Sequence, residues 1–406
     1  MELVIRKTIT SLLLMSIASA TGAAEWQIDP TLRFRAGYND NLRLATRNEI
    51  STAEATFSPS AVFSVMTPVS GISGNLGFDF RRYEEDSDLD DNNARLDVRT
   101  FHNMERSRLG LDLGFTKDTT LDSQLEATGL AFDRIPRRRM NISPNWTYSF
   151  SERTRISASY GFSDVEYNNT SRTNFADFTL NSAQVSLSNV INEKTTASIT
   201  LSGSKSSSNN DVESTNVNLQ AGASHQFSET LSGSLFIGVR RTEVDVSQTS
   251  RIPILSGNTR IGLVLLTQDV TNRDWGTTFS ASITKNFLRG ETSLSATRDI
   301  SNDINGQPIE VTRLRSTSLY RFNEILSASL NLEFYNSQSN NNVGSSLNRN
   351  YYQIEPTFSW AMKKFWSLSG SYRYRKQTFD DITDDATQNA AYLTLTYRWP
   401  RIAVSR

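Results

Sequence analysis

Apolar residues recur at every second position through almost the whole chain, and a period of two admits strands and little else. Leu32, Phe34, Ala36 and Tyr38 set the pattern near the start. Leu109, Leu111, Leu113 and Phe115 continue it, then Ile142, Pro144, Trp146, Tyr148 and Phe150. Leu326, Ala328, Leu330, Leu332 and Phe334 repeat it late in the chain. Between them lie Ser, Thr, Asn, Gly, Arg and Asp. The pattern predicts about eighteen strands, with about sixteen as the alternative, many near the roughly 9–11 residues of a tilted membrane strand.

The connections alternate in length as well. Short ones occur at 67–71, 105–108, 151–154, 192–195, 228–230, 287–290, 323–325 and 363–365. Longer polar ones occur at 39–51, 84–92, 119–135, 166–174, 205–213, 244–272, 300–309, 336–348 and 379–388. Strict alternation of this kind predicts one all-β domain: an up-and-down antiparallel transmembrane barrel with short periplasmic turns and long extracellular loops. A soluble sandwich also uses hairpins, but nothing in it enforces the alternation. Only 37% of the residues are hydrophobic. A barrel tolerates this, because one face of each strand meets lipid and the other meets a polar lumen.

The N-terminus supports export. Arg6 and Lys7 precede the short apolar run SLLLMSIASA, and small residues follow. This is the pattern of a signal peptide over 1–24, cleaved after Ala20 or Ala24. The barrel is then expected over 25–400, with 401–406 as a short periplasmic tail, in the outer membrane of a Gram-negative bacterium. The strand AAYLTLTYRWP is expected to close the barrel against residues 31–38, with Leu393 and Leu395 toward lipid. Tyr397 and Trp399 fall at the periplasmic interface, where amphipathic rings are favoured. These four residues are the candidate C-terminal insertion signal, to be read by the barrel-assembly machinery.

Strand parity sends Arg33, Arg35, Arg81, Arg95, Arg99, Arg240, Arg313, Arg315, Arg373, Arg375 and Arg398 into the lumen. The inward acids expected from the same parity are Asp79, Asp97, Asp112, Glu333 and Glu355. An arginine excess would concentrate anions; the bland alternative is that these arginines pair across strands and fill the wall. The segment 244–272 is more apolar than other loops. An inward-folded constriction, an extracellular hairpin and an extension of its strands are all open for it. In RIPRRRM, Arg137 and Arg139 should point inward and Arg138 toward lipopolysaccharide headgroups.

Catalysis finds little support. His102 and His225 fall on the outward face near periplasmic turns, and no HExxH, GxSxG or P-loop occurs. No enzyme activity and no cofactor are expected. The acidic runs EEDSDLDD and DDITDD could supply oxygen ligands, with Asp86, Asp88, Asp90 and Asp384 as weak metal candidates. Neither run matches the calcium-loop pattern, and a solvated charged loop is the plainer reading. A net charge of −1 gives no reason to expect nucleic acid as a partner.

Residues 28–45, IDPTLRFRAGYNDNLRLA, carry Tyr38, Asn39, Asp40, Asn41 and Leu42 as a Y-x-D-N-like element at the first strand. This opening resembles a family of outer-membrane β-barrel porins encoded in exopolysaccharide and surface-protein export clusters. The resemblance implies a role in outer-membrane passage or assembly of polysaccharide, with periplasmic export components as partners. No catalytic residue carries over. Two functions are therefore expected to compete: a channel or export pore for polysaccharide or other polar, anionic solutes, and a non-transporting surface barrel acting as adhesin or scaffold.

Overall fold

The computed structural model describes residues 24–85, 89–120, 135–168, 175–256, 259–302, 307–339, 348–380 and 382–405, and the backbone alone over 248–256, 259–269, 382–383 and 405. The expected leader therefore lies outside the described residues. In chain order the strands are β1 Glu25–Asn39, β2 Thr52–Met66, β3 Ser70–Tyr83, β4 Asp91–Asn103, β5 Ser107–Thr119 and β6 Pro136–Ser149. β7 Thr154–Tyr167, β8 Phe178–Asn192, β9 Thr195–Ser208, β10 Val212–Ser228, β11 Leu231–Ser256 and β12 Thr259–Phe287 follow. β13 Gly290–Asn302, β14 Pro308–Arg321, β15 Leu326–Ser339, β16 Arg349–Lys363, β17 Trp366–Phe379, β18 Ile382–Arg398 and β19 Ile402–Ser405 complete the sheet. Each strand pairs antiparallel with the next from β1 to β18, and β1 returns to β18 in the register Thr31–Arg398 to Asn39–Ala390. The closing strand thus pairs with the segment expected for it. Closure gives the edge groups of the first and last strands to each other, as a bilayer interior demands.

The outer face carries large apolar side chains in the open. Phe34, Leu109, Leu201, Leu219, Ile237, Phe358 and Leu393 are all exposed there. At the short-turn end they give way to aromatics in contact: Tyr148 with Phe150, Tyr320 with Phe322, Trp366 with Tyr397, and Tyr397 with Trp399. At the other end Phe334 packs at a tilt against Tyr352. An apolar band between aromatic girdles has a physical use only in lipid. The chain is an eighteen-stranded outer-membrane β-barrel.

Beyond Pro400, Ile402–Ser405 pairs with Glu25–Ile28, and Arg401 Nε donates to Asp29 at 2.9 Å. Two of the expected loops need correction. The connection 205–213 is tight: only 209–211 lies outside strands, with Asp211 at a φ of 56°. The run 379–388 is mostly the start of β18. Of the three readings open for 244–272, the strand extension is the one found: β11 and β12 continue through it, paired from Val246–Val270 to Ser256–Thr259. Once past the membrane, strands can keep pairing in water, so their length no longer reports where the barrel wall stops.

Deletion of residues 400–406 removes the β19 pairing and leaves β1–β18 intact. The variant is expected to insert and to keep the slower migration on boiling that marks folded barrels, with a modestly lower unfolding temperature. Gel mobility of heated and unheated samples checks this.

Candidate functional site: the lumen and the elements folded into it

Alternate side chains of every strand point inward, so the registers assign the lumen lining. All eleven arginines expected inside share the face opposite the apolar band. Most of them are paired. Arg95 meets Asp97 at 2.6 Å and Arg99 meets Asp112 at 2.5 Å. Arg313 and Arg315 both reach Glu333 at 3.1 Å. Arg373 bonds Glu355 at 2.7 Å, and Arg375 donates to Gln353 at 2.8 Å. Arg35 bonds Glu54 at 2.7 Å, an acid that parity also places inward but that the sequence reading passed over. Arg81 lies 3.4 Å from the Tyr83 hydroxyl. Arg33 and Arg398 differ: both are exposed, and neither side chain makes a hydrogen bond or ion pair among the described residues.

Tyrosines extend this wall. The Tyr392 ring lies flat over Gly37, where a Cβ would come within 2.2 Å of it. Arg35 sits 4.5 Å and Arg373 5.3 Å from that ring. Arg349 is buried against Tyr335 and Tyr351 at 5.4 and 4.9 Å. Cations over ring faces gain from the ring quadrupole, more so when desolvated. The sector from β14 through β18 to β3 is therefore a continuous stripe of arginine, tyrosine and fewer acids.

The opposite sector is mostly uncharged, with Arg155 on β7 at its short-turn end. From β7 to β10 the inward positions are mainly Ser157, Ser159, Ser182, Gln184, Ser202 and Asn218 with their neighbours. Between the two sectors, a recess of about 440 Å³ opens among Asn75, Asp97, Arg99, Asp112, Asn141 and Ser143.

Two elements fold into the lumen from the outer end. The first is the loop 40–51, and the Y-x-D-N-like element organises it. Asn41 is fully buried; its Nδ2 donates to the carbonyls of Ala45 and Thr387 at 2.8 and 2.9 Å, and its Oδ1 accepts from Ala45 N at 2.9 Å. Gln377 and Gln388 donate to the Leu44 and Asn41 carbonyls at 2.5 and 2.6 Å. Leu44 takes a φ of 49°, a left-handed conformation that costs a leucine energy. The strained turn is held because Leu42 and Leu44 bury themselves against Tyr83, Tyr335, Tyr351 and Ala386. The second element is the outer end of the β13–β14 hairpin. Arg240 Nη2 on β11 donates to Glu310 Oε2 at 2.5 Å, and Asn302 Nδ2 donates to Ser206 Oγ on β9 at 2.9 Å. The lumen is thus narrowed here, whereas 244–272 continues outward as a ribbon.

The remaining candidates are placed as follows. Ser70 Oγ lies 2.7 Å from His102 Nδ1, and Thr195 Oγ1 lies 2.9 Å from His225 Nδ1, both at the short-turn end and on the outer face. Asp384 is engaged by Arg47 at 2.8 Å, and Asp90 accepts from Tyr83 N at 3.0 Å. Asp86 and Asp88 lie outside the described residues, and no cluster of three metal-ligating side chains occurs among the described ones. Arg137 pairs inward with Asp118 at 2.7 Å, and Arg139 Nε donates to Asn141 at 3.1 Å. Arg138 faces outward within 3.8 Å of Glu166. Above the apolar band, Arg273 donates to Glu243 at 3.1 Å and holds that carboxyl below its usual range.

Comparison with known proteins gives a partial picture. The family model described as "Putative MetA-pathway of phenol degradation" matches residues 16–176, less than half of the chain. No curated protein matches. Among solved structures, OpdK of Pseudomonas aeruginosa with vanillate aligns at 9% identity over 93% of this chain and 99% of its own, with a TM-score of 0.44. A BenF-like porin of Pseudomonas fluorescens aligns at 11% identity over 94% and 99%, with a TM-score of 0.45. OccK2 of Pseudomonas aeruginosa with glucuronate gives 11%, 92%, 98% and 0.45. None of these supports the link to exopolysaccharide export that the opening residues implied.

Asn41→Ala strands buried partners of the inward loop and is expected to cost about 3 kcal/mol. Limited trypsin digestion of the folded barrel, with cleavage at Arg43 and Arg47 as readout, should show the loop nicked in the variant and protected in the natural chain.

Proposed function

We propose that this barrel is a diffusion channel of the outer membrane that favours small polar anions. The observation that carries the reading is the one-sided lumen: an arginine-rich stripe faces a wall of hydroxyls and amides. Paired arginines in the stripe are largely neutralised by their acids. Arg33 and Arg398 are not, and they stand on adjacent strands near the short-turn end. Free guanidiniums on low-dielectric walls focus their field into the passage and raise the local concentration of anions. The partial family match, whose description concerns phenol degradation, is compatible with phenolic compounds as cargo. Polysaccharide is not part of this reading, since the inward elements narrow the passage. On the outside, Arg138 and the Arg241–Glu243–Arg273 group lie beyond the apolar band, and we infer that they meet lipopolysaccharide phosphates.

The competing reading is a closed barrel that binds at the surface and transports nothing; the reach of the two inward elements favours it. Purified, refolded protein in planar bilayers under a salt gradient separates the two. The expected result is conductance with a reversal potential of anion-selective sign. Charge reversal at both free positions, Arg33→Glu with Arg398→Glu, should move the potential toward cation selectivity. Neutralising a paired couple, Arg95→Gln with Asp97→Asn, should leave it nearly unchanged. Cation preference in the natural chain, or a folded barrel without conductance, would defeat the proposal.

A further inference from the structure

The β12–β13 ladder ends early. It runs from Phe287–Gly290 only to Phe279–Arg298, and beyond that point β12 pairs with β11 alone. The released end of β13, still paired with β14 as far as Asn302–Pro308, leans across the lumen. Its position is fixed by contacts on both sides. On the wall side, Asn302 reaches Ser206 on β9, and Asp299 and Ile300 share a recess of about 210 Å³ with Ser182, Ser202, Asn216 and Asn218. On the other side, Val311 packs against the Leu42–Leu44 cluster of the inward loop.

Polarity confirms the lean. By strand parity Arg298 and Glu310 belong to the outer face, where the same strands carry Leu294, Ala296 and Leu314. In lipid, two charges there would be costly. Instead they meet inside the barrel. Glu310, with its side chain 8% exposed, accepts from Arg240, whose side chain is 2% exposed, and also pairs with Arg298. Arg240 lies across Gly276, where a Cβ would fall 2.6 Å from its Nη2. Its Nη1 donates to Thr242 Oγ1 at 2.7 Å. One carboxylate thus holds two guanidiniums, one on the wall and one on the hairpin.

We propose that the inward end of the β13–β14 hairpin sets the size limit of the pore, and that Glu310 latches it to the wall through Arg240 and Arg298. This inference rests on the channel reading. Without Glu310, the buried Arg240 keeps Asp274 at 3.5 Å, but the half-buried Arg298 loses its carboxylate and is left beside a like charge, which is unfavourable. The hairpin end then keeps only the neutral Asn302–Ser206 hydrogen bond on the wall side and the apolar contact of Val311 on the other. The carboxylate determines which solutes fit by holding the obstruction in place, without touching them.

The test uses the full refolded chain. Glu310→Ala, with Glu310→Gln as a shape-preserving second variant, is expected to raise single-channel conductance by about two-fold or more and to admit larger polyethylene glycols, because pore diameter limits both. The natural chain has no cysteine, so Asn302→Cys with Ser206→Cys in the Glu310→Ala background supplies a unique oxidisable pair. Oxidation should restore the natural conductance and size limit, and a reducing agent should abolish the restoration. The latch is wrong if both Glu310 variants keep heat-modifiable mobility with unchanged conductance and size limit, or if oxidation fails to reverse the gain; the channel reading survives either result. Silence of the natural chain and of every variant, with folding intact, would overturn channel and latch together.

Discussion

Everything in this molecule depends on the ladder between β1 and β18. A bilayer offers no water to an unpaired N–H or C=O, so a sheet that spans it must have no edge. The Thr31–Arg398 to Asn39–Ala390 register supplies that closure. Closure then fixes which side chains face lipid and which face the lumen, because a strand cannot change its parity without a bulge. The apolar band, the girdles and the arginine stripe are all consequences of one register.

That dependence explains what could be read from the sequence. Lipid imposes its demand on every second residue, so Leu326 to Phe334 or Ile142 to Phe150 announce their strands without any knowledge of neighbours. The same parity placed all eleven arginines on the inner face and Tyr397 and Trp399 at the short-turn girdle. Loop lengths were less legible, since pairing beyond the membrane obeys no such demand. The start of β18 runs through residues whose polarity suggests a loop, and β11 and β12 continue through an apolar segment that could equally have been one.

The inward elements were the least legible part, and for different reasons. Loop 40–51 is held by buried amides. The Asn41 side chain looks like any turn asparagine until Thr387 and Gln388, far along the chain, come beside it. The lean of β13–β14 did leave a trace. Arg298 and Glu310 stand at lipid-facing parity within strands that are otherwise correctly patterned, and such a violation signals a strand leaving the wall. The segment 244–272 drew notice instead because it is long and apolar. Glu54 and Tyr392 were legible in parity and simply belong to residue types that give no warning of their partners.

The division of the lumen into a basic and a neutral half has a consequence that the net charge of −1 conceals. In the proposed channel, a molecule would experience a field directed across the pore rather than along it. Such a field does no work on a charge moving straight through, but it exerts a torque on anything with a dipole. Solutes with an anionic end and a hydroxylated or apolar end would travel turned sideways, with one end held to each wall. Passage would then be ordered by how charge is distributed within a molecule, and isomers of equal size and charge would cross at different rates.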